Sequence, residues 1–241
     1  MKTVAATILA LVICASLAIS DGKPPKDSEF IFARVDFSMS YRWRLIFPNE
    51  EPWHHDYPFS EDFILITLRH LTNLNVTRDS YQIVQLDTPE IFKYPFLYFS
   101  EPGLMQLTPK EVTNLREWFN RGGFAVFDDF RLRDMDILRA EMHQVFPDRE
   151  FKRLDASEPI FRSFHSINDI DMAPPYEFMG QTLAPKFWGY YDDKGRLIAI
   201  ANHDNDLGEF FEWVDKGEMP FQPAAKATRL IVNYLIYGLT H

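Results

Sequence analysis

The 241-residue chain switches repeatedly between short continuous apolar runs and apolar positions three and four apart, the pattern of strands alternating with amphipathic helices. The run at 30 to 37 (FIFARVDF) predicts a strand, followed by a long aromatic, proline-containing loop to Pro58. Ser60 is placed to cap a helix over 61 to 74, since its hydroxyl can accept from an unpaired first-turn amide. Phe63, Ile64, Ile66, Thr67, Leu71 and Leu74 would form its broad apolar face. Strands at 81 to 86 and 96 to 100 come next, separated by the turn-like DTPEIFKYP. Thr108-Pro109-Lys110-Glu111 is the clearest helix start: Thr caps, Pro needs no donor in the first turn, and Glu reaches back. Gly122 should end that helix. FAVFDDF at 124 to 130 has the unbroken apolar start of a central strand covered on both faces, and 134 to 146 a second amphipathic helix stopped by Pro147.

From 151 to 190 the pattern weakens under Pro159, Pro174, Pro175 and Pro185, leaving loops, a helical turn over 159 to 163 and room for one strand. Two apolar runs within 187 to 202, joined by Asp192-Asp193-Lys194-Gly195, predict a hairpin. Leu230, Ile231, Tyr234, Leu235 and Gly238 recur at helical spacing, which closes the chain with a helix packed on the sheet. The expected fold is therefore α/β: a mostly parallel central sheet flanked by helices, with a C-terminal helix, in a single domain from 30 to 241.

Residues 1 to 20 carry Lys2, an apolar run from Val4 to Ile19 and small residues at Ala18 and Ser20, the layout of a secretory signal cleaved after Ser20. A short polar linker, 21 to 29, follows. An uncleaved anchor is the alternative, although the run falls short of the roughly 20 apolar residues that span a bilayer. A periplasmic or secreted protein, with no membrane insertion after signal cleavage, is the expectation. Cys14, the single cysteine, would leave with the signal, so the mature chain offers no disulfide, thiolate ligand or cysteine nucleophile. Without Lys2 the formal charge moves from −10 to −11, which disfavours nucleic acid and anionic membrane surfaces as partners.

Polar residues gather at three strand exits, where ligands bind in open parallel sheets. These are the loop WHHDYP at 53 to 58, Asp128-Asp129 at the end of 124 to 130, and His203-Asp204-Asn205-Asp206 after 197 to 202. Asp56, Asp128, Asp129, His203 and Asp206 are the candidates for acid, base or catalytic work, and Trp53, His54, His55, Tyr57 and Asn205 for ligand contact. His203, Asp204 and Asp206 are the candidates for a divalent metal; no other cofactor is expected. The stretch DNDLGE is not a calcium loop, because Glu209 stands where the turn needs Gly and Gly208 where a ligand is wanted. Neighbouring strand residues point to opposite faces, so Asp128 and Asp129 share one site only if the chain turns there. Otherwise one of them caps the next helix or pairs with Arg131 or Arg133. A serine elbow and a glycine-rich phosphate cradle are both absent.

Asp56-Tyr57-Pro58, Arg121-Gly122-Gly123-Phe124 with Asp128-Asp129, Pro159-Ile160-Phe161, Asn205-Asp206-Leu207-Gly208, Glu212-Trp213, and Asn233-Tyr234 with Thr240-His241 occur in one order. Together they resemble the bacterial family known as domain of unknown function 4159, over about residues 30 to 241. That resemblance implies a flavodoxin-like fold of the class I glutamine amidotransferase-like group and an exported or envelope-associated setting. It implies no established activity. Amidotransferases of that fold use a Cys at a strand-to-helix elbow, which a cysteine-free mature chain cannot supply.

Three functions stay open on these residues. The first is a module binding a small molecule, glycan or envelope protein at the strand exits. The second is a hydrolase, carbohydrate-directed in one version, using Asp carboxylates or a His/Asp-held metal. The third is a structural envelope component.

Overall fold

Alternation along the strands decides the layering. The computed structural model describes residues 29–46, 48–214 and 216–241; the segment expected to be a signal, with Cys14, and nearly all of the expected linker lie outside them. The strands among the described residues are β1 (Phe32–Asp36), β2 (Tyr81–Gln85), β3 (Phe96–Ser100), β4 (Phe124–Phe130), β5 (Lys152–Arg153), β6 (Lys186–Tyr191) and β7 (Leu197–His203). They form one sheet in the order β2-β1-β3-β4-β7-β6-β5. The first five in that order run parallel, and β6 is antiparallel to both neighbours. Phe32, Phe96, Tyr98, Phe124 and Val126 point to one face, while Ala33, Val35, Leu97, Phe99, Ala125 and Phe127 point to the other. Both sets are buried, so β1, β3 and β4 need apolar residues at nearly every position.

The helices are α1 (Tyr41–Ile46), α2 (Phe59–Leu71), α3 (Pro109–Asn120), α4 (Asp134–Val145), α5 (Leu207–Trp213) and α6 (Phe221–Thr240). The first face is covered by α2, α5 and α6 through Leu65, Phe210 and Leu230, the second by α3 and α4 through Leu115 and Leu138. Between them they make the expected α/β sandwich, with the C-terminal helix against the centre of the sheet. No helix among the described residues is long and apolar enough to cross a membrane.

Helix α3 has the predicted start, with Thr108 and Glu111 bonding reciprocally and Gly122 at φ 100 ending the turn that follows. The hairpin of β6 and β7 turns at Gly195, φ 77. Other expectations need correction. Pro58, not Ser60, sits at the cap position of α2, and the Ser60 hydroxyl instead accepts from Arg34. The helix stops at Leu71 rather than residue 74, because the Thr72 hydroxyl bonds back to Leu68 O. Its inner face is Ile64, Leu65 and Leu68, leaving Ile66 and Leu71 exposed. Two helices fall where the sequence suggests loops. Of these, α5 is only seven residues long and begins with Leu207-Gly208, too short for a periodic signal; Asp206 caps it and buried Phe210 and Phe211 hold it down.

Candidate functional site

A buried polar row crosses the first face of the sheet beneath the carboxyl ends of its strands. Arg34 on β1, Tyr98 on β3, Asp128 on β4 and Asn202 on β7 are all essentially inaccessible. The Tyr98 hydroxyl donates to Asp128 Oδ2 at 2.6 Å, and Asn202 Nδ2 donates to Oδ1 at 2.8 Å. The backbone amides of Leu207 and Gly208, 2.8 and 3.2 Å away, also donate to Oδ2. Tyr234 of α6 closes the row by donating to Asn202 Oδ1 at 3.1 Å. Asp128 is thus saturated by donors and fixes the start of α5 over β4. Arg34 does the same for the loop after β1, donating to Glu61 at 2.6 Å and to the carbonyls of Trp53 and His55 at 3.0 and 2.6 Å.

The chain turns directly after Asp128. Asp129 has φ 57, and the register of β4 against β7 shifts between Phe127 and Phe130. That irregularity meets the condition under which both aspartates serve one end of the sheet. Asp129 joins His55 and Asp56 from the β1 loop and Asp206 from the β7 exit. One nitrogen or oxygen atom from each of these residues lies within 4.8 Å of the other three. His55 Nδ1 is 3.2 Å from Asp129 Oδ2, and its Nε2 is 3.4 Å from Asp56 Oδ1. Both carboxylates are buried, and none of their four oxygens receives a hydrogen bond. Gly208 is required here, because a Cβ at that position would run into Asp56 Oδ2.

Arg131 is the nearest internal counter-charge. Its Nη2 is 2.7 Å from Asp129 Oδ1 and 3.0 Å from Asp206 Oδ2, with the hydrogen bond directed to Asp206. Its guanidinium lies 4.8 Å from the centre of the Tyr176 ring, and the Tyr176 hydroxyl donates to Asp206 at 3.1 Å. Asp206 is therefore well served, whereas Asp56 has the imidazole of His55 beside it and the charge of Arg34 acting through space, with no hydrogen bond to either oxygen.

Electrostatics follow from this crowding. Burial, and then the charge of Asp206, push Asp56 and Asp129 well above the usual carboxylate range. Burial lifts Asp128 to about 6 despite its donors. Glu101 above all, with Asp129, Asp56 and Asp206, holds His55 up at about 11 against the effect of its burial. In each case the folded state prefers the protonated form, so the stability tied to these protons is complete at low pH and is lost as pH rises. For Asp128 the window runs from its ordinary 3.8 to about 6. For His55 it runs from its ordinary 6.5 to about 11. Chelator-treated protein should therefore be more resistant to urea at pH 5.5 than at pH 8.5, with Asp128 alone contributing about 1 kcal/mol of the difference. A urea midpoint that climbs with pH over this range would refute the assignment.

The remaining candidates fall elsewhere. His203 can only donate through Nε2 to the Leu132 carbonyl, 2.9 Å away, and its ring stacks on Phe130. Asp204 accepts from the Leu132 amide and pairs with Lys186. These two residues knit the β4 and β7 exits together and are not members of the His55 group, so of the three metal candidates only Asp206 lies in it. Asn205 is buried, with Nδ2 3.5 Å from Met172 sulfur and no hydrogen bond to Oδ1. Trp53, His54 and Tyr57 pack edge to face or tilted on one another, and Tyr57 also meets Tyr81. The sequence pairs Arg131 with an aspartate, as the structure does. It does not single out Glu101, Glu209, Arg34, Tyr98, Asn202 or Tyr176. The one available signal was Arg34, a charge inside an otherwise apolar strand.

A comparison with curated proteins finds no match to this chain. Residues 32–239 match the family model described as a domain of unknown function, DUF4159. The match spans nearly all of the described domain, including every member of the His55 group. The chain belongs to the DUF4159 family.

Proposed function

We propose that this chain is an exported ligand-binding module on a flavodoxin-like scaffold of the amidotransferase-like group, and that its pocket takes the positively charged part of a ligand. The observation that carries this reading is the pair of buried carboxylates: no hydrogen bond reaches either oxygen of Asp56, and Asp129 has only an ion pair with Arg131, whose hydrogen bond goes to Asp206. A buried carboxylate without donors is costly, and a cation from outside is the direct remedy. The scaffold part is supported by the order β2-β1-β3-β4-β7 of the five parallel strands, which is the 2-1-3-4-5 order of flavodoxin-like sheets. The His55 group also lies at the carboxyl ends of β1, β4 and β7, where such folds bind ligands. Glu101, at φ 49 just after β3, occupies the kind of sharp turn on which a nucleophile elbow is built, and it is a carboxylate rather than a thiol.

Calorimetric titration of chelator-treated protein with Mn2+, Zn2+, Ca2+ and spermidine tests the reading. Saturable binding of at least one probe, weakened in Asp129→Asn, is expected. Heats that are absent, or identical in the variant, would overturn it.

A hydrolase is the second reading, favoured by the raised carboxyl groups of Asp56 and Asp129 beside Asp206, which would place a proton donor next to a further carboxyl group. Turnover on a panel of glycan, ester and phosphoester substrates, abolished by Asp206→Ala, would establish it in place of the binding module.

A further inference from the structure

Building on the reading of this pocket as a cation site, we propose that the cation is a divalent transition-metal ion, Mn2+ or Zn2+, held by His55, Asp56, Asp129 and Asp206. Donors around an ion at about 2.1 to 2.4 Å lie roughly 3 to 4.8 Å apart, the wider spacing being that of donors across the ion. The four side chains already present one donor atom each within 4.8 Å of the others, so little rearrangement separates the structure from a coordinating set. The independent pointer is Asp56: its side chain is 1% exposed, neither oxygen is hydrogen-bonded, and Gly208 leaves its carboxylate the space to sit there.

The donor types choose among ions. One imidazole nitrogen with three carboxylates suits Mn2+ or Zn2+, whereas Ca2+ prefers six to eight oxygens and Mg2+ keeps most of its water. Organic ammonium groups are a poorer match, because an imidazole is no better than water as a partner for them while it is a strong ligand for a transition metal. Access comes from the α5 side. Glu209 and Glu212, both partly exposed, converge with Asp56 in a second acidic group and give an arriving cation a negative path to the buried carboxylates. His55, 39% exposed at its side chain, stands at the mouth, so it can be altered without disturbing the interior.

Isothermal titration of chelator-treated protein with MnCl2, ZnCl2 and MgCl2, with spermidine run in parallel, separates the outcomes. One Mn2+ or Zn2+ per chain is expected, with Mg2+ much weaker. His55→Ala and Asp129→Asn should each weaken the metal about tenfold or more, with unchanged circular dichroism. The manganese electron-resonance spectrum of the loaded protein should change in His55→Ala, which removes a nitrogen ligand. Spermidine binding without metal binding would sink this inference and leave the cation pocket standing. Failure of every cation would sink both, and metal binding indifferent to both variants would put the ion somewhere else and overturn the site.

Discussion

Asp128→Ala is expected to cost about 4 kcal/mol of folding stability, read as a lower urea midpoint at unchanged slope. The carboxylate it removes is the common acceptor of the Tyr98 hydroxyl, the Asn202 amide and the Leu207 and Gly208 backbone amides. Each buried donor left without a partner costs about 1 to 3 kcal/mol. This outweighs the relief from deleting a carboxylate that burial has already lifted to about 6. Asp128→Asn should lie between wild type and Ala, because an amide keeps one accepting oxygen and turns an NH2 toward donors. A loss below about 1 kcal/mol for the Ala variant would mean that the row beneath the pocket is not held by this residue.

Glu61→Gln should be comparably severe, at about 3 to 5 kcal/mol, although it changes almost no volume. It removes the carboxylate that pairs directly with the buried Arg34 guanidinium, which stays tied to the carbonyls of Trp53 and His55. Because Arg34 pins the loop that carries His55 and Asp56, cation binding should weaken as well. Replacing both partners, as in Arg34→Met with Glu61→Leu, should cost less stability than Glu61→Gln alone, since no charge is then stranded. A double variant that is worse than the sum of its parts would contradict this account of the pair.

Most of the scaffold was legible because it rests on local signals. FAVFDDF reads as a strand covered on both faces, Thr108 to Glu111 as a capping box, and Asp192 to Gly195 as a hairpin turn, and each is formed as written. Asp56, Asp128, Asp129 and Asp206 were also visible as carboxylates at strand exits. Their division of labour was not. Asp128 is saturated by donors while Asp129, its neighbour, has only its ion pair with Arg131, and that difference depends on a left-handed residue and a register shift that no periodicity displays. His203 and Asp204 resembled ligands in sequence, yet their partners, Leu132 and Lys186, are supplied by other segments of the chain. Helix α5 escaped notice because its stability comes from burial of Phe210 and Phe211 and from the Asp206 cap rather than from repeated spacing.

With no ligand present the site crowds more carboxylates than cations, Asp56, Asp129 and Asp206 against His55 and Arg131, so the folding stability of Asp129→Asn in chelator-treated protein at pH 7.5 is the decisive measurement. Asn tolerates the left-handed backbone at this position, so the substitution removes charge without adding strain. The variant should unfold at higher urea than wild type, by about 1 kcal/mol, because a binding site gives up stability to keep its carboxylates crowded. A variant less stable than wild type would show that Arg131 and His55 already balance Asp129, and that the cluster is a finished ion-pair network rather than a site awaiting a cation.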